Sequence, residues 1–173
     1  MCIRDRFTAG GYSVSGLNKL YTGNDARARK IIEATTDIVS HTSTMKALGF
    51  CVSVEHAEYM TRVFNEAGIP SEAVTGQTHP SFRAEAIDKL ARGELNCLMA
   101  VDVFNEGFDL PAIDTILMMR PTQSATIFIQ QLGRGLRRTQ GKSVLTVLDF
   151  VGHQHKDFRF DIKLRALTGQ GRK

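Results

Sequence analysis

Four short runs of apolar residues divide the chain at roughly even intervals. They cover residues 47–54, 97–103, 115–119 and 144–150. Runs of this length with β-branched side chains are typical of strands that are buried on both faces of a sheet. A shorter segment, "EAVT" at 72–75, is a further strand candidate.

The segments between these runs have the spacing of helices. Residues 25–39 and 82–94 are predicted helices, and "GQTHPS" before the second is a predicted loop. After the first strand, Ser53 offers an N-cap and Gly68 a stop signal for another helix. The buried face of that helix is predicted from steps of three and four residues: Ala57, Met60, Phe64 and Ala67.

Strands that alternate with helices predict an α/β domain with a buried, mainly parallel sheet. Ligands of such sheets gather at the loops that leave the carboxyl ends of the strands. The loops after Val103 and after Met119 are therefore the first places to search for a site.

Composition narrows the class of protein. The chain has 173 residues, of which 42% are hydrophobic and 23% charged, which suits one globular domain. No apolar run reaches transmembrane length and no charged-then-apolar leader is present, so we expect no membrane contact. Cys2, Cys51 and Cys97 form no CxxC pair, which favours reduced thiols and a cytoplasmic location. His153 and His155 have no evident third ligand, so no metal site is predicted.

The net charge of +4 is unevenly placed along the chain. Residues 151–173 hold six basic and two acidic side chains, and the preceding 150 residues are neutral. A basic terminal segment on a neutral body suits contact with nucleic acid. A solvated terminus has the same composition, so charge alone leaves both interpretations open.

The segment "GRGLRRTQGKS" (133–143) suggests phosphate binding but fits neither common phosphate loop. A P-loop requires four residues between its glycines, whereas five separate Gly135 from Gly141, and a predicted strand rather than a helix follows. A dinucleotide fingerprint requires a third glycine and a preceding strand. We therefore interpret Gly141 as the end of a helix and Lys142 as part of a turn.

Taken as one helix, residues 123–137 have two distinct faces. Ala125, Ile129, Leu132 and Leu136 form the apolar face. Gln130, Arg134 and Arg137 cluster on another face, where two guanidiniums beside an amide form an anion clamp. Solvated arginines are the common alternative. Gly133 and Gly135, however, each cost a helix about 1 kcal/mol relative to alanine, which indicates close approach to the backbone.

These residues carry a resemblance to a known family. "VDVFNEGFDLP" (101–111) resembles motif V of superfamily 2 helicases, and "QQLGRGLRR" resembles their motif VI. "MKALGFCVSVEHAEYM" (45–60) resembles motif IV, and "TGQTHPSFR" (75–83) the loop that follows it. The resemblance runs from about residue 20 to 169 and is strongest to large bacterial DEAD/DEAH-like helicases of the restriction and repair type.

The resemblance implies the fold of the second, C-terminal RecA-like domain. This is a three-layer α/β/α domain with a mainly parallel sheet, here with helical extensions at both ends. It divides the chain into a leader or partial linker (1–20), the helicase domain (21–152) and a basic extension (153–173). The opening "MCIRDR" does not fit the family pattern, and we expect it to be the artificial start of a truncated or misassembled reading frame.

The resemblance also implies roles for single residues. Arg137 resembles the arginine finger, Arg134 its partner on the γ-phosphate, and Gln130 a residue that orients the site. Gly107 and Asp109 would approach the ATP ribose and the surroundings of the attacking water. Asp102 would steady the two arginines.

A second group of positions would track the nucleic acid backbone. Ser53, Thr75 and Gly76 are the candidates that the resemblance implies. Val101 stands where many relatives have a threonine whose hydroxyl touches a phosphate. A contact at Val101 must therefore come from the backbone N–H or be absent.

ATP and Mg²⁺ are the implied cofactors, and both would be held mainly by an N-terminal RecA-like domain. The sequence has no Walker A lysine motif and no DExx pair, so we expect the isolated chain to be inactive. The implied partners are that domain and nucleic acid, with DNA favoured over RNA. The alternative is a free-standing RecA-like adaptor that binds nucleic acid without catalysis. The genomic DNA upstream of Met1 would discriminate between the two.

Overall fold

The computed structural model of the chain describes residues 7–8, 11–12, 14–101, 103, 113–120 and 145–151. Helices and strands alternate through most of this part of the chain. In order they are β1 (Phe7–Thr8), β2 (Gly11–Tyr12), α1 (Val14–Tyr21), α2 (Asp25–Ile38), β3 (Ala47–Phe50), α3 (Val54–Glu66), β4 (Ser71–Thr75), α4 (Pro80–Arg92), β5 (Cys97–Val101), β6 (Thr115–Met118) and β7 (Thr146–Asp149).

Five strands form one sheet in the order β4-β5-β3-β6-β7. Every neighbouring pair in this sheet is parallel. Parallel neighbours need crossover connections, which α3 provides between β3 and β4, and α4 between β4 and β5. The short strands β1 and β2 form a separate antiparallel pair. The predicted α/β class with a parallel sheet is confirmed.

Side chains alternate between the two faces of the sheet, and helices cover both faces. On one face, α1 and α4 share a core cluster with the strands, which includes Leu17, Tyr21, Leu48, Leu90, Leu98 and Ile116. On the other face, α2 and α3 share a second cluster, which includes Ile31, Ala47, Met60, Phe64, Met99 and Leu117. The result is the predicted arrangement of three layers, α/β/α.

Local signals in the sequence place α3 correctly. The Ser53 side chain accepts a hydrogen bond from the backbone N–H of His56 at 3.1 Å, so the predicted N-cap is confirmed. Gly68 has a φ of +78°, the left-handed conformation that favours glycine after a helix end. Three of the four predicted face residues are buried: Ala57, Met60 and Phe64. The prediction for Ala67 is wrong, because the helix ends at Glu66 and Ala67 is exposed.

Helix α4 begins before the predicted start at residue 82. Pro80 occupies its first turn, where a fixed φ suits the helix and the missing N–H costs no hydrogen bond. The predicted loop at 76–81 is therefore shorter than expected. Gly93, with a φ of +78°, ends the helix within the predicted range.

The N-terminal part of the described chain belongs to the core. Leu17 and Tyr21 of α1 are only 3% and 2% exposed. The expected boundary between a leader (1–20) and the helicase domain (21–152) thus falls inside α1. The expected basic extension at 153–173 lies outside the described residues.

Two further expectations concern thiols and membranes. Cys51 and Cys97 are buried free thiols, and burial raises the pKa of both. Cys2 lies outside the described residues. Among the helices that the structure describes, none is both long and apolar enough to span a bilayer.

Candidate nucleic-acid interface

The carboxyl ends of three neighbouring strands bring the predicted nucleic-acid residues to one edge of the sheet. Thr75, the last residue of β4, lies in register with Val101, the last residue of β5. On the other side of β5, Phe50 of β3 pairs with Ala100, and the chain then reaches Ser53. Neighbouring strands lie about 4.8 Å apart, so Ser53, Thr75, Gly76 and Val101 share this edge. We call it the carboxyl edge.

The connection from β5 to β6 also points to the carboxyl edge as a binding site. Strands β5 and β6 flank β3 on opposite sides, so the segment between them crosses from one half of the sheet to the other. Ligands of open α/β sheets lie outside the carboxyl ends of the strands, where the strand order reverses. Segment 102–112 leaves β5 and segment 121–144 follows β6. Both predicted motif segments therefore begin at the carboxyl ends of strands, one after β5 and the other after β6.

The residues predicted to bind ATP and to act in catalysis lie within those two segments, outside the described residues. They are Asp102, Gly107, Asp109, Gln130, Arg134 and Arg137. Their assigned roles stay predictions. Among the described residues, no group of three or more His, Cys, Asp or Glu side chains is placed to hold a metal ion.

The hydroxyl of Ser53 is already committed within the domain. It donates a hydrogen bond of 2.6 Å to Oδ1 of Asn18 in α1, while it accepts the bond from His56 N that begins α3. A serine hydroxyl has one hydrogen to donate, so in this arrangement it offers none to a phosphate. The Ser53 hydroxyl therefore links α1 to the start of α3.

Thr75 folds the chain into a tight turn. Its Oγ1 accepts from the N–H of Gln77 at 3.2 Å, and its own N–H donates to Oγ1 of Thr78 at 3.0 Å. The carbonyl of Thr75 also accepts from the N–H of Thr78 at 3.0 Å. The Thr75 side chain is buried, so it holds the turn rather than facing solvent.

This turn exposes the backbone of the next two residues. Gly76 and Gln77 are both exposed, and a Cβ added to Gly76 would meet no atom within 4 Å. A phosphate group can approach such a backbone without a side chain in its way. Val101, in contrast, is buried at the end of β5. Of the four predicted positions, Gly76 is the one that solvent reaches freely.

The side chain of Arg83 in α4 stabilises this turn through hydrogen bonds to two of its carbonyl groups. Its Nη2 donates to the carbonyl of Thr78 at 3.2 Å and, more weakly, to that of Thr75 at 3.4 Å. These bonds tie the first turn of α4 to the end of β4. Sequence reasoning missed this role, although "TGQTHPSFR" places Arg83 eight residues after Thr75, within reach once α4 folds back.

A cluster of charged and aromatic groups, of which Tyr21 and His56 are buried, lies near the start of α2 and α3. Arg27 stacks 4.0 Å from the ring centroid of Tyr21, and the Tyr21 and His56 rings lie 5.6 Å apart. Burial lowers the pKa of His56 to about 4, and the charge of Arg27 adds to the effect. Burial also raises the pKa of Asp149, a shift that the Val151 N–H and Arg27 oppose. His56 is therefore neutral near pH 7.

Comparison with known proteins identifies the family of the domain. Residues 29–139 match the family described as "Helicase conserved C-terminal domain". The chain belongs to this family. The match includes the strands of the carboxyl edge and the segment with Gln130, Arg134 and Arg137. The recognition made from the motifs is confirmed at the level of the superfamily.

Two curated relatives are much longer than this chain. Putative ATP-dependent helicase IRC3 of Saccharomyces cerevisiae is 38% identical over 110 residues, which are 64% of this chain and 16% of that protein. Putative mitochondrial ATP-dependent helicase irc3 of Schizosaccharomyces pombe is 34% identical over 140 residues, 80% of this chain and 23% of that protein. This helicase C-terminal domain thus spans less than a quarter of either relative.

The fold is shared with a solved helicase. The structure of the Hef helicase domain of Pyrococcus furiosus matches with a TM-score of 0.57 at 27% identity. The match covers 71% of this chain and 26% of that chain. The expected RecA-like fold of a helicase C-terminal domain is therefore confirmed.

Proposed function

We propose that this chain is the C-terminal motor domain of an ATP-dependent superfamily 2 helicase or translocase that acts on nucleic acid, DNA in preference to RNA. The observation that carries the proposal is the convergence of β3, β4 and β5 on one edge, where the Gly76 backbone is exposed, in a domain of the helicase C-terminal family. We assign the track for the nucleic acid backbone to this edge.

The track requires no reading of bases. Backbone N–H groups in an exposed turn bind phosphate oxygens, and such contacts position a strand without carrying sequence information. Gly76 and Gln77 are the exposed part of the turn that Thr75, Thr78 and Arg83 hold; because the Gln77 N–H already donates to Oγ1 of Thr75, we assign the phosphate contact to the backbone of Gly76. The basic residues of 153–173 would add phosphate contacts that weaken as salt rises.

The nucleotide site is assigned to the residues of the two motif segments. Arg137 is proposed as the arginine finger and Arg134 as its partner, with Gln130 orienting the site. We assign Gly107 and Asp109 to the surroundings of the ribose and the attacking water, and Asp102 to the support of the arginines. ATP and Mg²⁺ would be held mainly by the first motor domain, and hydrolysis of the bound ATP would supply the free energy for movement along the nucleic acid. This chain supplies the guanidiniums that stabilise negative charge on the transferred phosphoryl group.

The test compares this chain alone with the same chain joined to the N-terminal RecA-like motor domain that the proposal requires. We expect no ATP hydrolysis by residues 1–173 alone and hydrolysis that nucleic acid stimulates by the joined protein. Single-stranded DNA and single-stranded RNA of equal length are compared as stimulators, and DNA is expected to be the stronger. Hydrolysis by the purified chain alone would contradict the proposal. A joined protein that binds nucleic acid without hydrolysis would favour the adaptor function instead.

A further inference from the structure

An aromatic side chain faces solvent beside the carboxyl edge. Phe82, in the first turn of α4, is 66% exposed; among the described residues the other large hydrophobic side chain left in solvent is Ile38, at 57%. Single exposed apolar residues are common on protein surfaces, so exposure alone means little. Phe82 is distinguished by its place at the start of α4, which is tied to the end of β4, and by the contact of its ring with His79.

Phe82 belongs to a segment that is anchored to the end of β4. Arg83, its neighbour in the chain, donates to the Thr78 carbonyl at 3.2 Å, and the turn at Thr75 and Gly76 precedes it directly. The first turn of α4, which carries Phe82, is therefore tied to the turn that contains Gly76 and is not part of a freely moving loop.

A second ring orients the first. Nδ1 of His79 lies 2.7 Å from Oγ of Ser81 and accepts from the Ser81 N–H at 3.3 Å, which fixes the imidazole at the start of α4. The ring centroids of His79 and Phe82 are 6.3 Å apart at an interplanar angle of 73°, an edge-to-face contact. Such a contact takes up at most one face of the phenyl ring, so solvent reaches the remainder.

The charges nearby permit an anionic strand to approach. Glu85, one helical turn after Phe82, is paired with Lys89 at 3.2 Å. Lys89 also contacts Glu72 at 2.8 Å, so one ammonium is shared by two carboxylates. The guanidinium of Arg83, the residue after Phe82, supplies the second positive charge. The exposed residues of the turn that precedes α4 are Gly76, which has no side chain, and the uncharged Gln77.

We propose that Phe82, held by His79, stacks on a base of a single-stranded nucleic acid whose phosphates run along Gly76 and Gln77. The inference rests on the proposed function, since it requires nucleic acid at the carboxyl edge. An aromatic face stacks on any base, so this contact grips a strand without selecting its sequence. Bases within a duplex are already stacked on each other, so the platform favours unpaired strands.

The test measures binding of the full 173-residue chain to a fluorescein-labelled oligothymidine of about 12 nucleotides at low salt, by anisotropy. Phe82→Ala is expected to weaken binding about 5- to 100-fold. The salt dependence should stay unchanged, because no cation is removed. Phe82→Trp should keep the affinity, since it keeps an aromatic face. Ile38→Ala, which removes the other large apolar side chain that is exposed among the described residues, is the matched control and should bind like the wild type.

A base analogue reports the stacking directly. With 2-aminopurine in the oligonucleotide, the wild type should quench its fluorescence on binding, and Phe82→Ala should not at saturation. Wild-type binding that Phe82→Ala leaves unchanged would overturn the stacking inference while the proposed function stands. If neither the chain nor its joined two-domain form binds the oligonucleotide, the proposed function fails and the inference falls with it.

Discussion

The guanidinium of Arg27 lies over the ring of Tyr21, 4.0 Å from its centroid, and its Nη2 donates a hydrogen bond of 2.7 Å to the carbonyl of Phe150. One side chain of α2 thus connects α1 with the chain just after β7. These contacts join segments that are more than a hundred residues apart in sequence. Arg27 is therefore a tertiary link that closes the domain near the carboxyl ends of its strands.

Arg27→Ala should lower the free energy of unfolding by about 1–3 kcal/mol, because it removes a cation–π contact and a charge-assisted hydrogen bond. Urea unfolding followed by circular dichroism measures the change. Arg29→Ala, an exposed arginine in the same helix, is the matched control and should have little effect. Equal stability of the two variants would show that Arg27 contributes no more than a surface charge.

Gly49 in the centre of β3 should resist even a methyl group. A Cβ there would lie 2.8 Å from both Cε of Met119 and Sδ of Met99. Methionine side chains can shift, so we expect Gly49→Ala to cost about 1–3 kcal/mol of unfolding free energy rather than to prevent folding. Gly76→Ala has open space around the new methyl and serves as the stability control in the same denaturant titration. A neutral Gly49→Ala would mean that both methionines move at no cost.

His56 should make stability depend on pH. Its pKa is lowered by burial from 6.5 to about 4, so the unfolded chain binds a proton at a higher pH than the folded domain does. The contribution of His56 to the unfolding free energy should be fully present above pH 6.5 and should decrease as the pH falls toward about 4. The expected loss is about 3 kcal/mol.

Comparison with a variant isolates this contribution. His56→Asn keeps an acceptor for the Val52 N–H, which Nδ1 of His56 accepts at 3.2 Å, but does not titrate. The difference in stability between wild type and His56→Asn should therefore change with pH across that window. The pKa of Asp149 is raised, so this residue changes stability with pH in the direction opposite to His56. Its contribution is the same in both proteins and cancels in the difference. A His56→Asn profile parallel to that of the wild type would refute the assignment.

Arg137 should act on the transition state of hydrolysis rather than on nucleotide binding. In the joined two-domain protein, Arg137→Ala is expected to slow turnover by about 10³- to 10⁵-fold while ATP affinity stays within about tenfold. Arg137→Lys should rescue little, because a point charge cannot replace the planar guanidinium. Single-turnover hydrolysis beside equilibrium binding of a nucleotide analogue separates the two effects.

Arg138→Ala, the adjacent arginine, is the matched control and should retain turnover. Loss of nucleotide binding in Arg137→Ala with normal turnover of each bound ATP would show that another arginine is the finger.

Much of the local structure could be predicted from the sequence because its causes are local. Short continuous apolar runs located β3, β5, β6 and β7, and the shorter segment at 72–75 located β4. Ser53 and Gly68 marked the ends of α3 through their own side-chain and backbone preferences. Ala67 was misplaced because helical spacing continues in the sequence after the hydrogen bonds have stopped. Pro80 was an available signal for the start of α4 that the apolar spacing alone did not reveal.

The sequence by itself therefore determined the α/β class, the family motifs and the side of the sheet on which a site would form. Only the tertiary structure decided the strand order that places Thr75 beside Val101, the use of the Ser53 hydroxyl by Asn18, and the link from Arg27 to Phe150. These features depend on contacts between residues far apart in the chain. No local pattern encodes them, because each results from the packing of the whole core.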